Sequence, residues 1–338
     1  MVDKVAILGA GAMGTGCAAL LAERSGAQVT LWARTQAAAQ ELDTCRENRR
    51  LLPGVPLSPA IEVTSDLTIA TSGATLLVVA IPCSYLRRAL LDMAPYLPPN
   101  VPVVSVVKGI ENDTFLTPSQ IIRQTLGPRD VATLCGPSHA EEFARRLPAS
   151  VVVAGGHQAL LESVQRLFTT DRFRVYTNSD FTGVELAGAL KNVIAIAAGI
   201  CDGLEYGDNA KAALLTRGLA EMTRFGVALG GRQETFWGLA GVGDLMTTCF
   251  SGFGRNRRVG ERLGQGDSLT QILAELHGVA EGVATCRSVA GLARERQIVM
   301  PICTEVYHVL FDGKSPAAAT MSLMQRPLRD ELQQTYSE

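Results

Sequence analysis

The sequence has almost no net charge and no recognisable metal-binding pattern. It holds 31 lysines and arginines against 33 aspartates and glutamates, so its formal charge is −2. A chain this close to neutral has no general electrostatic attraction for nucleic acid or for an anionic membrane surface, and we expect neither as a partner. The eight cysteines form no C-x-x-C pair and the four histidines are scattered. We therefore expect no metal site, and reduced thiols that are buried.

Targeting signals, membrane spans, internal repeats and low-complexity tracts are also missing. The apolar start predicts a first β-strand rather than a cleavable signal peptide. No apolar run reaches membrane-spanning length without a charge, because the longest one contains Lys191. A chain of 338 residues with 47% hydrophobic residues is long and apolar enough for two domains. These features predict a cytoplasmic globular protein.

A glycine-rich turn near the N-terminus stands between a predicted strand and a predicted helix. The order is an apolar run at residues 5–8, the sequence GAGAMG at residues 9–14, and a small apolar helix at residues 15–22. In this setting G-x-G-x-x-G indicates dinucleotide binding. The first glycine allows the tight turn, the second admits the pyrophosphate, and the third lets helix and strand pack closely. The candidate cofactor contacts on this turn are Gly9, Gly11, Ala12, Met13 and Gly14.

The second predicted strand ends at Trp32, Ala33 and Arg34. An NAD site usually has a carboxylate in this region for the ribose diol, and this sequence has none. Arg34 is suited instead to pair with a 2′-phosphate and to stack on adenine. We therefore expect NADP(H) to be used at least as well as NAD(H). The alternative is an ordinary surface arginine.

The hydrophobic pattern divides the chain into an α/β part and an all-helical part. Further strands are predicted at residues 61–63, 75–80, 103–107, 131–134, 150–154 and 173–176. Near-continuous apolar strands that alternate with helices predict a mostly parallel sheet covered on both faces. From about Gly183 onward the pattern is helical. We therefore expect a Rossmann-type dinucleotide-binding domain over residues 1–180 and an all-α substrate domain over residues 181–338.

The most unusual helix, at residues 185–195, is apolar and rich in small residues, with Lys191 at its centre. Lysine is rarely buried without a partner or a function. The helical positions around it carry only small residues, Ala187, Gly188, Ala195 and Ala198. This bare face admits a substrate. Close helix packing, with the lysine reaching water, is the alternative.

Three further segments carry candidate ligand-binding groups. Lys108 follows a predicted strand, and the segment GPSHAE at residues 136–141 follows another. Ligands of doubly wound sheets bind at this edge. A glycine-rich loop at residues 251–254 leads into Arg255 and Asn256, which together with backbone N–H groups suit a phosphate. A solvated basic turn is the alternative for this loop, and His139 by itself is expected to be structural.

Taken together, these motifs resemble the soluble NAD(P)-dependent glycerol-3-phosphate dehydrogenases of bacterial type over essentially the whole chain. The resemblance also rests on the segments AGVGDL at residues 240–245, RNR at residues 255–257 and LMQRPL at residues 323–328. It implies interconversion of sn-glycerol 3-phosphate and dihydroxyacetone phosphate with NADP or NAD, supplying glycerophospholipid synthesis. It also implies a homodimer, although the apolar helices of the second half are equally suited to an internal core.

The resemblance also implies roles for individual residues. Lys191, Lys108 and Asp244 correspond to catalytic groups, Lys191 being the proton donor. The implied substrate-binding residues are Asn192, Thr248, Arg255, Asn256, Gly136 and Ser138. Besides the glycine turn, the implied cofactor contacts are Arg34, Lys108, Ala140, Arg255 and Glu281. Where relatives often carry a serine and an aromatic residue this chain has Ala12 and Met13, a departure that affects nucleotide affinity rather than the fold.

Two other functions are compatible with the same pattern. One is a dehydrogenase of another phosphorylated or carboxylated hydroxy compound, similar to the 6-phosphogluconate or 3-hydroxyacid dehydrogenases, where a helix lysine followed by asparagine also occurs. The other is a non-catalytic NADP(H) sensor. A sensor would not require Lys108, Lys191 and Asp244 together, and the Arg255–Asn256 loop favours the glycerol phosphate enzyme over its relatives.

Overall fold

The computed structural model describes residues 4–23, 27–328 and 330–331. By its internal contacts the chain divides into two compact units. The sheet unit comprises Met1–Lys108 and Pro118–Phe181, and the helical unit comprises Gly109–Thr117 and Thr182–Glu338. The chain therefore enters the helical unit briefly after Lys108, returns, and enters it again at Thr182.

The sheet unit contains one mostly parallel sheet with eight strands within the described residues. The strands are β1 (Lys4–Leu8), β2 (Gln28–Trp32), β3 (Ile61–Thr64), β4 (Leu76–Val79), β5 (Val103–Ser105), β6 (Val131–Cys135), β7 (Ala149–Gly155) and β8 (Phe173–Asn178). Their spatial order is β3-β2-β1-β4-β5-β6-β7-β8. All neighbours pair in parallel except β6 and β7, which are antiparallel. The predicted mostly parallel sheet is confirmed.

The central strands are buried along their whole length because helices cover the sheet. In register, Ile7 of β1 lies between Leu31 of β2 and Val78 of β4, and all three are completely buried. The helices of this unit are α1 (Ala12–Ala22), α2 (Gln36–Cys45), α3 (Leu67–Thr71), α4 (Cys83–Met93), α5 (Pro118–Leu126), α6 (Ala140–Phe143) and α7 (Gln158–Phe168), with a 3₁₀ turn at Ala94–Tyr96.

The order of the strands locates the ligand-binding edge of this sheet. Chain direction across the sheet reverses between β1 and β4, which are neighbours although two strands separate them in sequence. Ligands of open parallel sheets bind outside the carboxyl ends of the strands at such a switch point. The glycine turn follows β1 at this position, so the fold presents it where a dinucleotide binds.

The helical unit is built from α8 (Phe181–Gly203), α9 (Gly207–Ala228), α10 (Gln233–Phe236), α11 (Asp244–Phe250), α12 (Arg255–Gly264), α13 (Leu269–Glu275), α14 (Glu281–Glu295), α15 (Pro301–Phe311) and α16 (Pro316–Met324). A short π-helical segment, Leu239–Gly243, leads directly into α11. The long helix α8 lies at the centre of this unit, since nearly all of its side chains are buried.

Helix α8 is long and apolar enough to cross a membrane. However, 94% of its most apolar window is buried inside the protein. Small residues such as alanine and glycine let other helices approach it on every side, and a helix that is apolar all round is expected in the core of a large protein. Its composition is thus explained by burial in protein.

The segment Gly109–Thr117 joins the helical unit through buried polar contacts. Thr117 Oγ1 donates to Glu185 Oε2 at 2.6 Å. Ser288 Oγ donates to the carbonyl oxygen of Ile110 at 2.9 Å and lies 2.6 Å from Asn112 Oδ1. Nothing in the hydrophobic pattern of this segment predicts its membership, because these contacts join residues far apart in the sequence.

Candidate active site

Two positions of the glycine turn after β1 must be glycine for steric reasons. Gly9 has a φ of 118°, and a Cβ there would lie 2.8 Å from the carbonyl oxygen of Ala80. A Cβ on Gly14 would collide with the carbonyl oxygen of Gly9. Any side chain at either position would push helix α1 away from the sheet. These two residues therefore have the structural roles that the motif predicts.

Gly11 differs from its neighbours because a Cβ there would meet no heavy atom within 4 Å. The protein itself does not need this glycine, yet the position stands directly before α1, whose N-cap provides no side-chain hydrogen bond to the first turn. Ala12 and Met13 form that first turn. An open cradle facing uncapped N–H groups fits a pyrophosphate bound at a helix N-terminus.

A buried asparagine that no motif indicated holds the turn from outside. Asn48 donates from Nδ2 to the carbonyl oxygen of Ala10 at 3.1 Å and to Thr15 Oγ1 at 2.9 Å. It lies after α2 and is only 7% exposed. A buried amide that bonds to both sides of the glycine turn fixes its conformation. The only sequence signal is one polar residue before the apolar stretch at residues 51–57.

Arg34 lies exposed just after β2, and its neighbour Thr35 caps helix α2. The carbonyl oxygen of Trp32 accepts from the N–H of Gly9 at 3.2 Å, so the end of β2 is tied to the glycine turn. The guanidinium of Arg34 is exposed at this edge and is not buried against the protein. This position suits a contact to the adenosine end of a dinucleotide.

Lys108 and the segment after β6 are brought together by one carbonyl group. Lys108 Nζ donates to the carbonyl oxygen of Gly136 at 3.0 Å, and Ser138 Oγ donates to the same oxygen at 3.0 Å. Gly136 has a φ of 138° and a Cβ there would lie 2.9 Å from Val151 Cα. Ala140, by contrast, is buried as the first residue of α6.

In the helical unit, Lys191 is buried among polar partners and does not reach water. It is 5% exposed, and its Nζ lies 2.8 Å from Asp244 Oδ1 and 2.5 Å from Thr248 Oγ1. Asp244 and Thr248 are also buried, and Thr248 Oγ1 lies 3.3 Å from Asp244 Oδ1. The alternative of a lysine that snorkels to the surface is therefore excluded by the structure.

Local backbone geometry places Asp244 and Thr248 on one face of α11. They are four residues apart and so lie one helical turn from each other. Gly241, in the preceding π-helical segment, is required because a Cβ there would collide with the backbone of Phe236. Short π-segments occur often at functional sites. Here the segment starts α11 at Asp244, whose carboxylate is favoured at a helix N-terminus.

A chain of amide hydrogen bonds lies next to this cluster in sequence. Asn256 Nδ2 donates to Asn192 Oδ1 at 2.9 Å, and the N–H of Gly282 donates to Asn256 Oδ1 at 2.9 Å. Glu281 is the first residue of α14, directly before that N–H. Asn192 follows Lys191 on α8, so this chain of bonds ties α8, α12 and α14 together.

Arg255 is exposed and begins α12, whereas its neighbour Asn256 is buried. The N-cap of α12 is Gly254, which provides no side-chain bond to the first turn. One exposed guanidinium beside uncapped N–H groups is suited to an oxyanion. The helix start thus combines a charged group with a fixed amide, as the glycine-rich loop before it predicts.

Two buried cysteines, Cys17 and Cys249, are unsuited to act as nucleophiles. All eight are free thiols, and all but Cys45 are buried. Burial raises the pKa of Cys249, which lies on α11 next to Thr248, to about 12, and burial also raises the pKa of Cys17 on α1 to about 12. Because the thiolate is the reactive form, thiols that stay protonated at neutral pH do not act in covalent catalysis.

Comparison with known proteins agrees with this arrangement. The family model described as NAD-dependent glycerol-3-phosphate dehydrogenase N-terminus matches residues 4–161, and the C-terminus model of the same family matches residues 180–321. No group of three or more histidine, cysteine, aspartate or glutamate side chains arranged to hold a metal is found within the described residues.

Individual relatives match over nearly full length. Glycerol-3-phosphate dehydrogenase [NAD(P)+] of Geobacter sulfurreducens is 48% identical over 334 residues, covering 98% of this chain and 99% of the relative. The protein of the same name from Citrifermentans bemidjiense is 47% identical with the same coverage. The crystal structure of glycerol-3-phosphate dehydrogenase from Coxiella burnetii superimposes with a TM-score of 0.92 at 35% identity, covering 96% of this chain and 99% of that one. The chain belongs to the family of NAD(P)-dependent glycerol-3-phosphate dehydrogenases.

Proposed function

We propose that this protein interconverts sn-glycerol 3-phosphate and dihydroxyacetone phosphate by NAD(P)-dependent hydride transfer, supplying glycerophospholipid synthesis. The observation that carries the proposal is the buried Lys191, bonded to Asp244 and Thr248 and followed directly by the bonded pair Asn192 and Asn256. Lys191, which carries a proton, is followed in sequence by Asn192, whose amide is bonded to Asn256 at the start of α12. Oxidation of a hydroxyl group on the carbon next to a phosphate-bearing carbon needs both a proton acceptor and a phosphate site.

Lys191 is the proposed proton donor to the substrate carbonyl oxygen, and the base in the reverse direction. Its ammonium has three N–H donors, and Asp244 and Thr248 accept two of them in the structure. These two partners fix the position of the nitrogen atom. Positioned proton transfer of this kind contributes about 10²–10⁴-fold to a rate.

Lys108 is proposed as a second cation that polarises the carbonyl group. The carbonyl oxygen of Gly136 holds its ammonium at 3.0 Å, so the side chain is oriented before any substrate binds. Gly136 and Ser138 are proposed substrate contacts in the same segment. Preorganised positive charge lowers the free energy of a developing alkoxide without reorganisation during the reaction.

Arg255 and Asn256 are proposed to bind the substrate phosphate, with Asn192 and Thr248 as neighbouring polar contacts. Because the phosphate does not react, its binding energy serves to position the reacting carbon atom. Loss of the phosphate contacts should therefore lower turnover as well as affinity.

The dinucleotide is proposed to bind at the glycine turn, where the open cradle at Gly11 faces the uncapped start of α1. When bound, its nicotinamide supplies the hydride. The remaining proposed cofactor contacts are Gly9, Ala12, Met13, Gly14, Arg34, Lys108, Ala140, Arg255 and Glu281. We propose residues 1–180 as the dinucleotide-binding domain and residues 181–338 as the substrate domain.

We also propose a cytoplasmic homodimer. Four large apolar side chains of the helical unit are about half exposed, namely Trp237, Met246, Phe250 and Phe253. Exposed apolar surface of this kind is commonly covered by a second copy. Sedimentation equilibrium should give the mass of two chains, and the mass of one chain at micromolar concentration would contradict the dimer.

A substrate panel tests the proposed reaction. The loss of NADPH absorbance is followed with dihydroxyacetone phosphate, and the reverse reaction is followed with sn-glycerol 3-phosphate, 6-phosphogluconate and a 3-hydroxyacid. We expect turnover with dihydroxyacetone phosphate and sn-glycerol 3-phosphate and none with 6-phosphogluconate or the 3-hydroxyacid. Preference for either of the other two substrates would instead support a related dehydrogenase, and NADPH binding without turnover would support a sensor.

A further inference from the structure

Two helices of the helical unit touch through their backbones. Each of four glycines would place a Cβ against the main chain of the other helix, and these are Gly199 and Gly203 of α8 and Gly260 and Gly264 of α12. A Cβ on Gly264, for example, would lie 2.8 Å from the carbonyl oxygen of Ile200. With no side chains between them, a shift of one helix is passed directly to the other.

An ion cluster lies at the end of this contact. Asp202, in the last turn of α8, accepts from Arg257 Nε at 2.6 Å. Both of its carboxylate oxygens also lie 2.8 Å from Lys211 Nζ, which comes from α9. The side chains of Asp202 and Arg257 are each 19% exposed, and that of Lys211 is 9% exposed. Asp202 thus pairs with two mostly buried cations, and Arg257 also lies 3.6 Å from Glu261 Oε2 on its own helix.

The cluster connects to every helix that carries the proposed substrate groups. Asp202 is on the same helix as Lys191, three turns further along. Arg257 is in the first turn of α12 and follows Arg255 and Asn256 directly. Lys211 Nζ lies 4.7 Å from the centre of the Phe250 ring, at the end of α11, the helix of Asp244 and Thr248.

We propose that Asp202 is a positioning residue that fixes the start of α12, and therefore the phosphate-binding Arg255 and Asn256, relative to Lys191. The proposal rests on the proposed function. Packing alone does not explain why an ion cluster lies at this helix contact. A partly buried ion cluster brings a large desolvation penalty, and apolar side chains would join the helices equally well. Asp202 receives a hydrogen bond from Arg257 Nε and binds Lys211 through both carboxylate oxygens, so it fixes the first turn of α12 relative to α8 and α9. A fixed position of this turn is what a phosphate site at the start of α12 requires.

The test is Asp202→Asn, which keeps the size of the side chain and removes its charge. We expect the KM for dihydroxyacetone phosphate and the inhibition constant of inorganic phosphate to rise together by about tenfold, with a smaller fall in kcat. Inorganic phosphate probes the phosphate site without the rest of the substrate. The affinity for NADPH should change less than the affinity for phosphate, since most of the proposed cofactor contacts belong to the other unit.

A matched control is available at the other end of α12. Asp267 accepts from Arg262 Nε, also at 2.6 Å, but at the far end of α12. Asp267→Asn removes an ion pair of the same geometry and should leave KM, kcat and the phosphate inhibition constant unchanged. Equal changes in both variants would mean that removing any ion pair to an arginine of α12 has this effect, and would overturn the proposal.

If Asp202→Asn does not fold, Arg257→Lys replaces it. This variant keeps the positive charge but loses the guanidinium geometry, so the same joint rise in KM and inhibition constant is expected. A folded variant that melts at lower temperature but keeps both constants would assign a purely structural role to the cluster. Failure of the proposed function is distinguishable, because the wild-type protein would then show no turnover with dihydroxyacetone phosphate in the first place.

Discussion

The glycine turn of the sheet unit and the lysine cluster of the helical unit provide their polar groups in different ways. At the turn, the groups are backbone N–H groups within one short segment, and close contacts exclude side chains at Gly9 and Gly14. In the cluster, the groups are side chains brought together from distant positions, since Lys191 and Asp244 are 53 residues apart. The turn is therefore encoded locally, whereas the cluster depends on the packing of the entire helical unit.

The difference predicts different responses to substitution. A change in the turn should act on cofactor binding or on folding, and a change in the cluster should act on turnover while cofactor binding remains.

After the loss of Lys191 itself, the largest effect is expected from Asp244→Asn. This change leaves the Lys191 ammonium buried with a neutral amide in place of its carboxylate, so its position and proton are no longer controlled. We expect kcat to fall by about 10²–10³-fold. Steady-state kinetics give this value, and a fluorescence titration with NADPH serves as control. A loss of NADPH affinity as large as the loss in kcat would show that the two regions are not separable.

Within the turn, Gly14→Ala and Gly11→Ala form a matched pair. The added methyl group collides with the Gly9 carbonyl in the first variant and meets open space in the second. We expect Gly14→Ala to destabilise the protein by about 2–3 kcal/mol. Gly11→Ala should keep the melting temperature and lose NADPH affinity. If Gly11→Ala binds NADPH normally, the cradle is not the pyrophosphate site.

A buried carboxylate outside the cluster provides a comparison with Asp244. Glu221 on α9 accepts the N–H groups of Ile302 and Cys303 at 2.7 and 3.2 Å, at the start of α15. Burial raises its pKa from 4.5 to about 7, although the two N–H bonds and Arg224 act in the opposite direction. Whereas Asp244 pairs with an ammonium group, Glu221 is bonded to backbone.

The sign of the resulting pH dependence follows from proton uptake. Between pH 4.5 and 7 the folded state keeps a proton on Glu221 that the unfolded state has released. The stabilisation is therefore complete below the lower value and is lost as pH rises through the upper one, amounting to about 3 kcal/mol. Glu221→Gln should remove this dependence from urea unfolding curves at pH 5 and pH 8. Equal pH dependence in both proteins would contradict the raised pKa.

Arg255→Ala tests whether phosphate binding contributes to turnover. Loss of a charge-assisted contact to phosphate should lower kcat/KM by about 10²-fold, distributed over kcat and KM. The neighbouring Arg258, exposed on the same helix, provides the control variant Arg258→Ala. A rise in KM alone would show that the phosphate contact binds the substrate without positioning it.

The smallest effect is expected from Arg34→Ala. If the guanidinium pairs with a 2′-phosphate, NADPH affinity should fall by about tenfold while NADH affinity changes little. Isothermal titration with both cofactors measures the two values. Equal losses for both cofactors would exclude the 2′-phosphate role.

The sheet and the glycine turn could be predicted because their signals are local. Apolar strands, the G-x-G-x-x-G spacing and the helix after it all lie within short stretches of sequence. The lysine of α8 was detectable for the same reason, as one charge in an apolar helix. The resemblance to a known family was needed to associate it with Asp244 and Thr248, because a separation of 53 residues carries no periodic signal.

Other features of the structure could not be recognised from residue types alone. Asn48 is one asparagine in a polar loop, and only the folded chain shows that it bonds to both sides of the glycine turn. Asp202 appears as an ordinary helix-end aspartate until Lys211 and Arg257 are seen around it. The segment Gly109–Thr117 joins the helical unit through bonds to Glu185 and Ser288, and such tertiary contacts override local pattern.

The most direct test of the account compares wild-type protein with Lys191→Met in dihydroxyacetone phosphate-dependent oxidation of NADPH. Methionine fills a similar volume without a proton, and the glycine turn is unchanged. We expect rapid turnover by the wild type, a loss of about 10³-fold or more in kcat for the variant, and equal NADPH affinity for both. A folded variant that retains turnover within about tenfold of the wild type would contradict the assignment of Lys191 as the proton donor.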